Sequence, residues 1–243
     1  MFPIRDHNPS ERIPFVTYAL IAINILVFLS YFPGGSEIDH VLMYRQWGFT
    51  PALNEPTTYF TSQFLHGGWM HLFGNMLFLF IFGDNMEDEM GHVGFLIFYL
   101  ASGVLAAFSQ GMMDWSSFTP MVGASGAIAG VMGGYLLLFP KARVDILIIL
   151  IIILRIIPVP AWLMLGLWFG LQLVQAALDT GTGGGTAFAA HAGGFIAGLL
   201  LTIPIWLRLG GPVFWDRTHG HPDHPEARYK LVRTTVPQVR RRR

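Results

Sequence analysis

Residues 93–113 read VGFLIFYLASGVLAAFSQGMM, a run without a single charged side chain. As a helix it would rise about 1.5 Å per residue and reach about 30 Å, the thickness of the hydrocarbon core of a bilayer. The rest of the chain has the same character, since 53% of all residues are hydrophobic and 12% are charged. This charge content is about half that of a soluble domain. We therefore expect a membrane protein whose partners include membrane lipid and no nucleic acid.

Five further apolar runs flank this one, and each lies wholly or largely within an uncharged window long enough to cross a bilayer. The six predicted helices cover residues 15–32, 69–85, 93–113, 125–139, 161–178 and 186–207. The predicted fold class is all-α, a polytopic membrane protein with a six-transmembrane-helix bundle. The apolar stretch between Asp145 and Ile157 is shorter and is closed by Pro158 and Pro160, so we predict that it lies at the interface.

The basic residues are concentrated at the chain ends, because nine of the 15 Lys and Arg lie at or after Arg208. We predict three parts: a cytoplasmic arm over 1–12, a membrane domain over 13–207, and a basic, disordered cytoplasmic tail over 208–243. Basic residues favour the cytoplasmic side, which predicts a multi-pass protein of a bacterial-type inner (cell) membrane with both termini cytoplasmic. The connection 84–92 has four acidic residues and no Lys or Arg, so it does not support this orientation.

A polar side chain within a membrane span costs free energy, so its presence there indicates a function. In the predicted topology the second, fourth and sixth helices all start from the outer side. His71 and Asn75 lie near the start of the second helix, Ser125 starts the fourth, and His191 lies near the start of the sixth. The three helices therefore bring a serine, two imidazoles and an amide to one level.

This set contains the groups that hydrolysis by a serine needs. Ser125 would be the nucleophile at a helix N-terminus, and His191 the base on another helix. The Asn75 amide, an N–H of His71 and the Ser125 backbone N–H would stabilise an oxyanion. The chain has no cysteine, which excludes a thiol nucleophile, and we expect no metal and no cofactor.

Close helix packing is an alternative explanation for part of this pattern. The octapeptide GASGAIAG at 123–130 is typical of a helix interface, because small residues let two backbones approach. Gly194 and Gly198 in the sixth helix have the same property. By itself the octapeptide favours packing over catalysis, although such packing would also bring Ser125 to His191.

These residues resemble the rhomboid family of intramembrane serine proteases over about residues 57 to 207. Four motifs carry the resemblance, in the family's order: His66, His71 and Asn75; Gly83, Glu87 and Gly91; Gly123, Ser125 and Gly126; Ala190, His191, Gly194 and Gly198. The resemblance implies a Ser125–His191 dyad without a third carboxylate, and an oxyanion hole formed by His71 and Asn75. His66 and the motif glycines would support the site. The implied substrates are single-span membrane proteins cleaved near the outer membrane face.

The chain departs from the family pattern at two places. Many relatives have Trp-Arg in the first loop where this chain has Thr57 and Thr58, so another group must anchor that loop. Some bacterial relatives place an aromatic ring one turn after the nucleophile, against the base. That position is Ala129 here, so something else must orient His191.

Two other functions compete with proteolysis. One is a catalytically inactive relative that binds transmembrane segments, which the presence of both Ser125 and His191 disfavours. The other is a small transporter, which would distribute ionisable residues through the membrane rather than cluster them at one end. Gln172 and Gln175 in the fifth helix could bond a neighbouring helix or face water, and the sequence does not decide between these roles.

Overall fold

The computed structural model describes residues 2–150, 153–178 and 187–222. The helices are α1 Phe15–Tyr31, α2 Glu37–Trp47, α3 Thr58–Thr61, α4 Trp69–Met90, α5 His92–Met113, α6 Ser125–Leu138, α7 Ala161–Leu178, α8 Phe188–Leu209 and α9 Pro212–Thr218. The strands are β1 Phe2–Asp6, β2 Arg143–Leu150 and β3 Ile153–Pro160. The protein is a mostly helical membrane bundle, as predicted.

The six predicted apolar helices correspond to α1, α4, α5, α6, α7 and α8. Helices α5, α7 and α8 are each long and apolar enough to span a membrane. Helix α4 would form a fourth span together with Thr58–Phe64, from which it is bent by 97°. Helices α1 and α6 are apolar but shorter, so the count of six spans stays a prediction. The predicted glycine-rich turn at 181–185 lies outside the described residues.

Helix α6 is the centre of the bundle. Every residue from Gly126 to Tyr135 is buried, so the helix is enclosed by its neighbours on all sides, as expected for an element that is apolar all round. Helix α8 packs against it backbone to backbone. A Cβ added to Gly198 would lie 1.9 Å from the carbonyl oxygen of Gly130, and one added to Gly194 would lie 2.1 Å from that of Gly126. Only glycine fits at these contacts.

A three-stranded antiparallel sheet in the order β1-β2-β3 covers one end of the bundle, and we call this the sheet end. The apolar stretch predicted at the interface forms its β2–β3 hairpin, and the N-terminal arm adds strand β1. Asp145 lies opposite Arg5 in the register, and its carboxylate accepts hydrogen bonds from Arg5 Nε at 2.7 Å and His7 Nε2 at 2.9 Å. These charge-assisted bonds fix the arm to the hairpin.

The sheet end is also bonded to the helices. Tyr135 of α6 donates its hydroxyl to Asp6 Oδ2 at 2.7 Å. Glu87 of α4 accepts from the backbone N–H groups of Val16 and Thr17 at 2.8 and 2.7 Å. These are free N–H groups in the first turn of α1, so the carboxylate caps that helix where its dipole is positive. Glu87 therefore has a structural role rather than a place in a metal site.

The start of the predicted tail is helical in the structure. Helix α9 folds back on the end of α6, where Trp215 Nε1 donates to the Leu137 carbonyl oxygen at 3.0 Å. The backbone N–H of Lys141 donates to the Gly220 carbonyl oxygen at 2.8 Å. The remainder of the tail, from residue 223, lies outside the described residues.

Candidate active site

Ser125 and His191 are in direct contact at the end of the bundle opposite the sheet. Ser125 is the first residue of α6 and His191 lies in the first turn of α8. The distance from Ser125 Oγ to His191 Nε2 is 2.7 Å, which is a short hydrogen bond. The imidazole is buried, with 9% of the residue exposed. The close packing of α6 on α8 thus brings together the two residues that the sequence predicts as nucleophile and base.

The opposite edge of the imidazole ring, which carries Nδ1, contacts helix α7. His191 Nδ1 lies 2.8 Å from Gln172 Oε1, and the Trp168 ring lies beside the imidazole with its centroid 5.9 Å away. An amide oxygen can only accept a hydrogen bond, so with the amide in this orientation Nδ1 is the protonated nitrogen. Nε2 is then free to accept the proton of the Ser125 hydroxyl.

His71 and Asn75 lie on α4 beside the same serine. His71 Nδ1 accepts a hydrogen bond from the Gly67 N–H at 3.3 Å, which leaves its Nε2 as the N–H donor. A Cβ added to Gly123 would lie 2.8 Å from His71 Nε2 and 3.5 Å from Ser125 Oγ, so both groups surround this glycine. Asn75 is 8% exposed, and its Nδ2 has no hydrogen-bond partner among the described residues.

A cavity of about 1040 Å³ contains these groups. Its lining includes Ser125, His191, His71, Asn75, Gln110 and Trp168. Polar groups of several helices therefore converge on a space that could hold a peptide segment and water. A cavity with such a lining is the polar environment that an intramembrane serine would need.

Glycine and backbone bonds shape the loop that leads into Ser125. Gly123 has a φ of +132°, a conformation that side chains disfavour. Its N–H donates to the Ser62 carbonyl oxygen at 2.9 Å, and Phe49 and Met121 exchange backbone bonds at 3.0 and 2.7 Å. At Gly126 an added Cβ would lie 2.5 Å from Ala106 Cβ, so this glycine lets α5 approach the first turn of α6.

His66 lies behind His71 rather than in contact with Ser125. It is fully buried, its ring centroid is 5.1 Å from that of His71, and its backbone N–H donates to the Tyr31 hydroxyl at 2.7 Å. Hydroxyl groups anchor the neighbouring loop, where Thr58 Oγ1 donates to the Glu55 carbonyl oxygen and Thr61 Oγ1 to that of Trp47, both at 2.7 Å.

Two glutamines of the site were not assigned a role from the sequence. Gln172 contacts the imidazole as described, and Gln110 of α5 accepts from the Ala190 N–H at 3.1 Å, which caps the turn that carries His191. Both are uncharged amides inside apolar helices. That rarity singled out Gln172 in the sequence without assigning it a role, and the same signal applies to Gln110, because a buried amide needs a partner.

These features define a polytopic helical membrane protein with a buried Ser–His contact between two closely packed helices. The model of the Rhomboid domain matches residues 53–208, and the chain belongs to the rhomboid family. It is similar to "Rhomboid protein 1, mitochondrial" of Saccharomyces cerevisiae, with 30% identity over 76% of this chain and 51% of that protein. It is also similar to "Rhomboid protease GlpG" of Salmonella choleraesuis, with 26% identity over 79% of this chain and 63% of that protein. The chain thus spans between half and two thirds of the length of these relatives.

Proposed function

We propose that this protein is an intramembrane serine endopeptidase. The observation that carries the proposal is the 2.7 Å contact between Ser125 Oγ and His191 Nε2 inside a polar cavity of the bundle. A serine is a poor nucleophile unless a base in hydrogen-bond contact removes its proton. Membership of the rhomboid family and similarity to a protein named a rhomboid protease support the same activity.

The geometry fits acyl transfer in two steps. Ser125 Oγ attacks the scissile carbonyl carbon while His191 Nε2 takes the hydroxyl proton, and His191 then returns this proton to the leaving amine. Water from the cavity then attacks the acyl-enzyme, and His191 takes the proton of this water and passes it to Ser125 Oγ. Asn75 Nδ2, His71 Nε2 and the Ser125 backbone N–H would donate to the oxyanion in each tetrahedral intermediate. His191 and Ser125 act without a third carboxylate and without a metal or cofactor.

We propose single-span membrane proteins as the substrates. The cavity lies within a membrane bundle, so a segment that is itself in the bilayer reaches it most directly. The basic residues of the arm, the hairpin and the tail favour the cytoplasmic side for the sheet end. Ser125, at the opposite end, then lies near the outer face, where we expect cleavage. The family resemblance implies the same substrate class and the same side.

The experiment is labelling of the detergent-solubilised protein by a serine-directed fluorophosphonate, together with cleavage of a model single-span substrate. Ser125→Ala and His191→Ala should each abolish cleavage, and the double variant should add little, because the two groups act as a unit. Ser30→Ala is the matched control, since Ser30 is exposed on α1 and donates only to the Val27 carbonyl oxygen. Turnover by purified Ser125→Ala protein would contradict the mechanism, and substrate binding without labelling would indicate an inactive relative.

A further inference from the structure

We propose that Gln172 is the positioning residue for the base of this site, and that it holds His191 in the one tautomer that can activate Ser125. The proposal rests on the proposed function and adds to it a residue of α7. The motif residues of the site come from α4, α6 and α8 and the connection before α6. With Gln172, helix α7 also contributes a residue to the site.

The placement of Gln172 is unusual for its helix. The buried residues of α7 are Ala161, Leu165 and Gln172, so a single amide is turned into the bundle from a helix that is otherwise largely exposed. Only 6% of Gln172 is exposed. Burial of an amide is unfavourable unless it is hydrogen-bonded, and here its oxygen meets His191 Nδ1 at 2.8 Å. The amide is therefore held toward the imidazole.

This contact favours one tautomer of the neutral imidazole. A neutral histidine carries its proton on either Nδ1 or Nε2, and only the Nδ1–H form leaves Nε2 able to take a proton from serine. The amide oxygen of Gln172 accepts from Nδ1–H and so stabilises that form. In the opposite tautomer two acceptors would face each other at 2.8 Å unless the amide turned over, and the Nε2–H of that tautomer would block proton transfer from Ser125.

The chain has a particular need for such a group. Ala129, one turn after Ser125, has no ring to hold the imidazole, and the Trp168 ring is tilted by 33° at 5.9 Å rather than stacked. Among the described residues, His191 makes side-chain hydrogen bonds to Ser125 and Gln172 and no ion pair. A neutral amide also suits an apolar helix, because a buried carboxylate would have to lose its hydration.

The first test compares Gln172→Leu with Gln175→Leu in the full-length protein in detergent. Gln175 lies on the same helix and makes no hydrogen bond to His191, so its replacement controls for a changed α7 surface. We expect Gln172→Leu to lower kcat by about 10- to 100-fold, as for a misoriented base, with KM nearly unchanged. The rate of fluorophosphonate labelling at Ser125 should fall by a similar factor, and this small probe does not require a substrate span to pass α7.

The second test is Gln172→Glu, which keeps an oxygen acceptor at the same reach. We expect this variant to retain most of the activity that Gln172→Leu loses. A carboxylate also favours the protonated imidazolium, so the acid limb of its kcat/KM profile should move to higher pH. If Gln172 only fills space, Gln172→Glu would be no more active than Gln172→Leu, and its pH profile would match that of the wild type.

The outcomes separate this inference from the proposed function. If the wild-type protein shows no Ser125-dependent labelling or cleavage, the proposed function fails and the positioning role fails with it. If the wild-type protein is active and Gln172→Leu labels and cleaves at the wild-type rate, the positioning role alone is wrong. If Gln172→Leu does not fold, the profile of Gln172→Glu decides, and an unchanged acid limb overturns the proposal.

Discussion

The Asn75 side chain is buried beside Ser125 with its Nδ2 unpaired among the described residues. A buried donor without an acceptor costs about 1–3 kcal/mol. The proposed mechanism explains why such a cost would be tolerated, because an oxyanion appears next to the donor only during the reaction. The amide would then contribute to turnover rather than to stability.

We predict that Asn75→Ala lowers kcat by about 10- to 1,000-fold, as for loss of one oxyanion donor, with little change in KM. The unfolding midpoint in detergent should not fall, since Asn75 Nδ2 has no hydrogen bond to lose among the described residues. His71→Ala should lower kcat similarly. Both are checked by steady-state kinetics on one model substrate. If either variant raised KM alone, its side chain would be a substrate contact and not an oxyanion donor.

At the scale of elements, the contact between α6 and α8 sets the distance between serine and histidine. Gly198 lies about two turns after His191, and its Cα hydrogens face the backbone of Gly130, which lies about one and a half turns after Ser125. A methyl group there would force the helices apart, and the displacement would reach the 2.7 Å contact at the other end. Helix packing and the contact between Ser125 and His191, which were alternative explanations of the octapeptide, thus depend on the same glycines.

We predict that Gly198→Ala destabilises the protein by about 1–3 kcal/mol, the usual cost of overpacking, and lowers cleavage. Gly166→Ala is the matched control. It lies on α7, where an added Cβ meets nothing within 4 Å, so helix propensity should stabilise it slightly. Thermal unfolding and cleavage of both variants are compared in the same detergent. Equal stability of the two variants would contradict a tight α6–α8 contact.

The helices were predictable because each is an apolar segment bounded by charge or proline, which is a local property of the sequence. The sheet was not, because strand β1 pairs with residues about 140 positions away and the hairpin carries no alternation of polar and apolar residues. Ser125, His191, His71 and Asn75 stand out as polar residues at one level of apolar helices. Gln172 stood out equally, but its role depends on which way α7 is turned, and this is set by packing.

The fold as a whole ties the chain's first residues to the central helix. Asp6 of β1 is half-buried against Tyr135, and desolvation raises the pKa of this carboxyl to about 8, although the Tyr135 hydrogen bond opposes the shift. The nearby Asp84 raises it further. In the unfolded chain the same group has a pKa of about 3.9. The folded state therefore holds a proton that the unfolded state loses between these two values.

We predict that the protein loses stability as pH rises from about 5 to 8 and changes little through this group above that range. Stability falls with rising pH because the folded state binds one more proton than the unfolded state. The stabilisation that Asp6 contributes is therefore complete below the pKa of this carboxyl in the unfolded chain. Thermal unfolding in detergent across this range measures the slope, and Asp6→Asn should flatten it. A midpoint that rises over the same interval in wild type, or an unchanged slope in Asp6→Asn, would contradict the assignment.

The sheet also determines how α7 can move. The backbone N–H groups of Ala161 and Trp162 donate to the carbonyl oxygens of Ala142 and Pro140, both at 2.8 Å, so the helix is pinned where it leaves the hairpin. Gln172 lies about 16 Å farther along, so we expect any movement of α7 to be a rotation about this fixed end. A rotation of α7 by only about 10° would move the Gln172 amide about 3 Å from His191. A substrate helix is about 10 Å wide, so α7 would have to move about that far from its neighbours to let one pass. We therefore expect His191 to lose its contact with Gln172 before α7 has moved far enough for a substrate helix to enter. The contact would form again only when α7 returns, so substrate entry and peptide cleavage would be successive events.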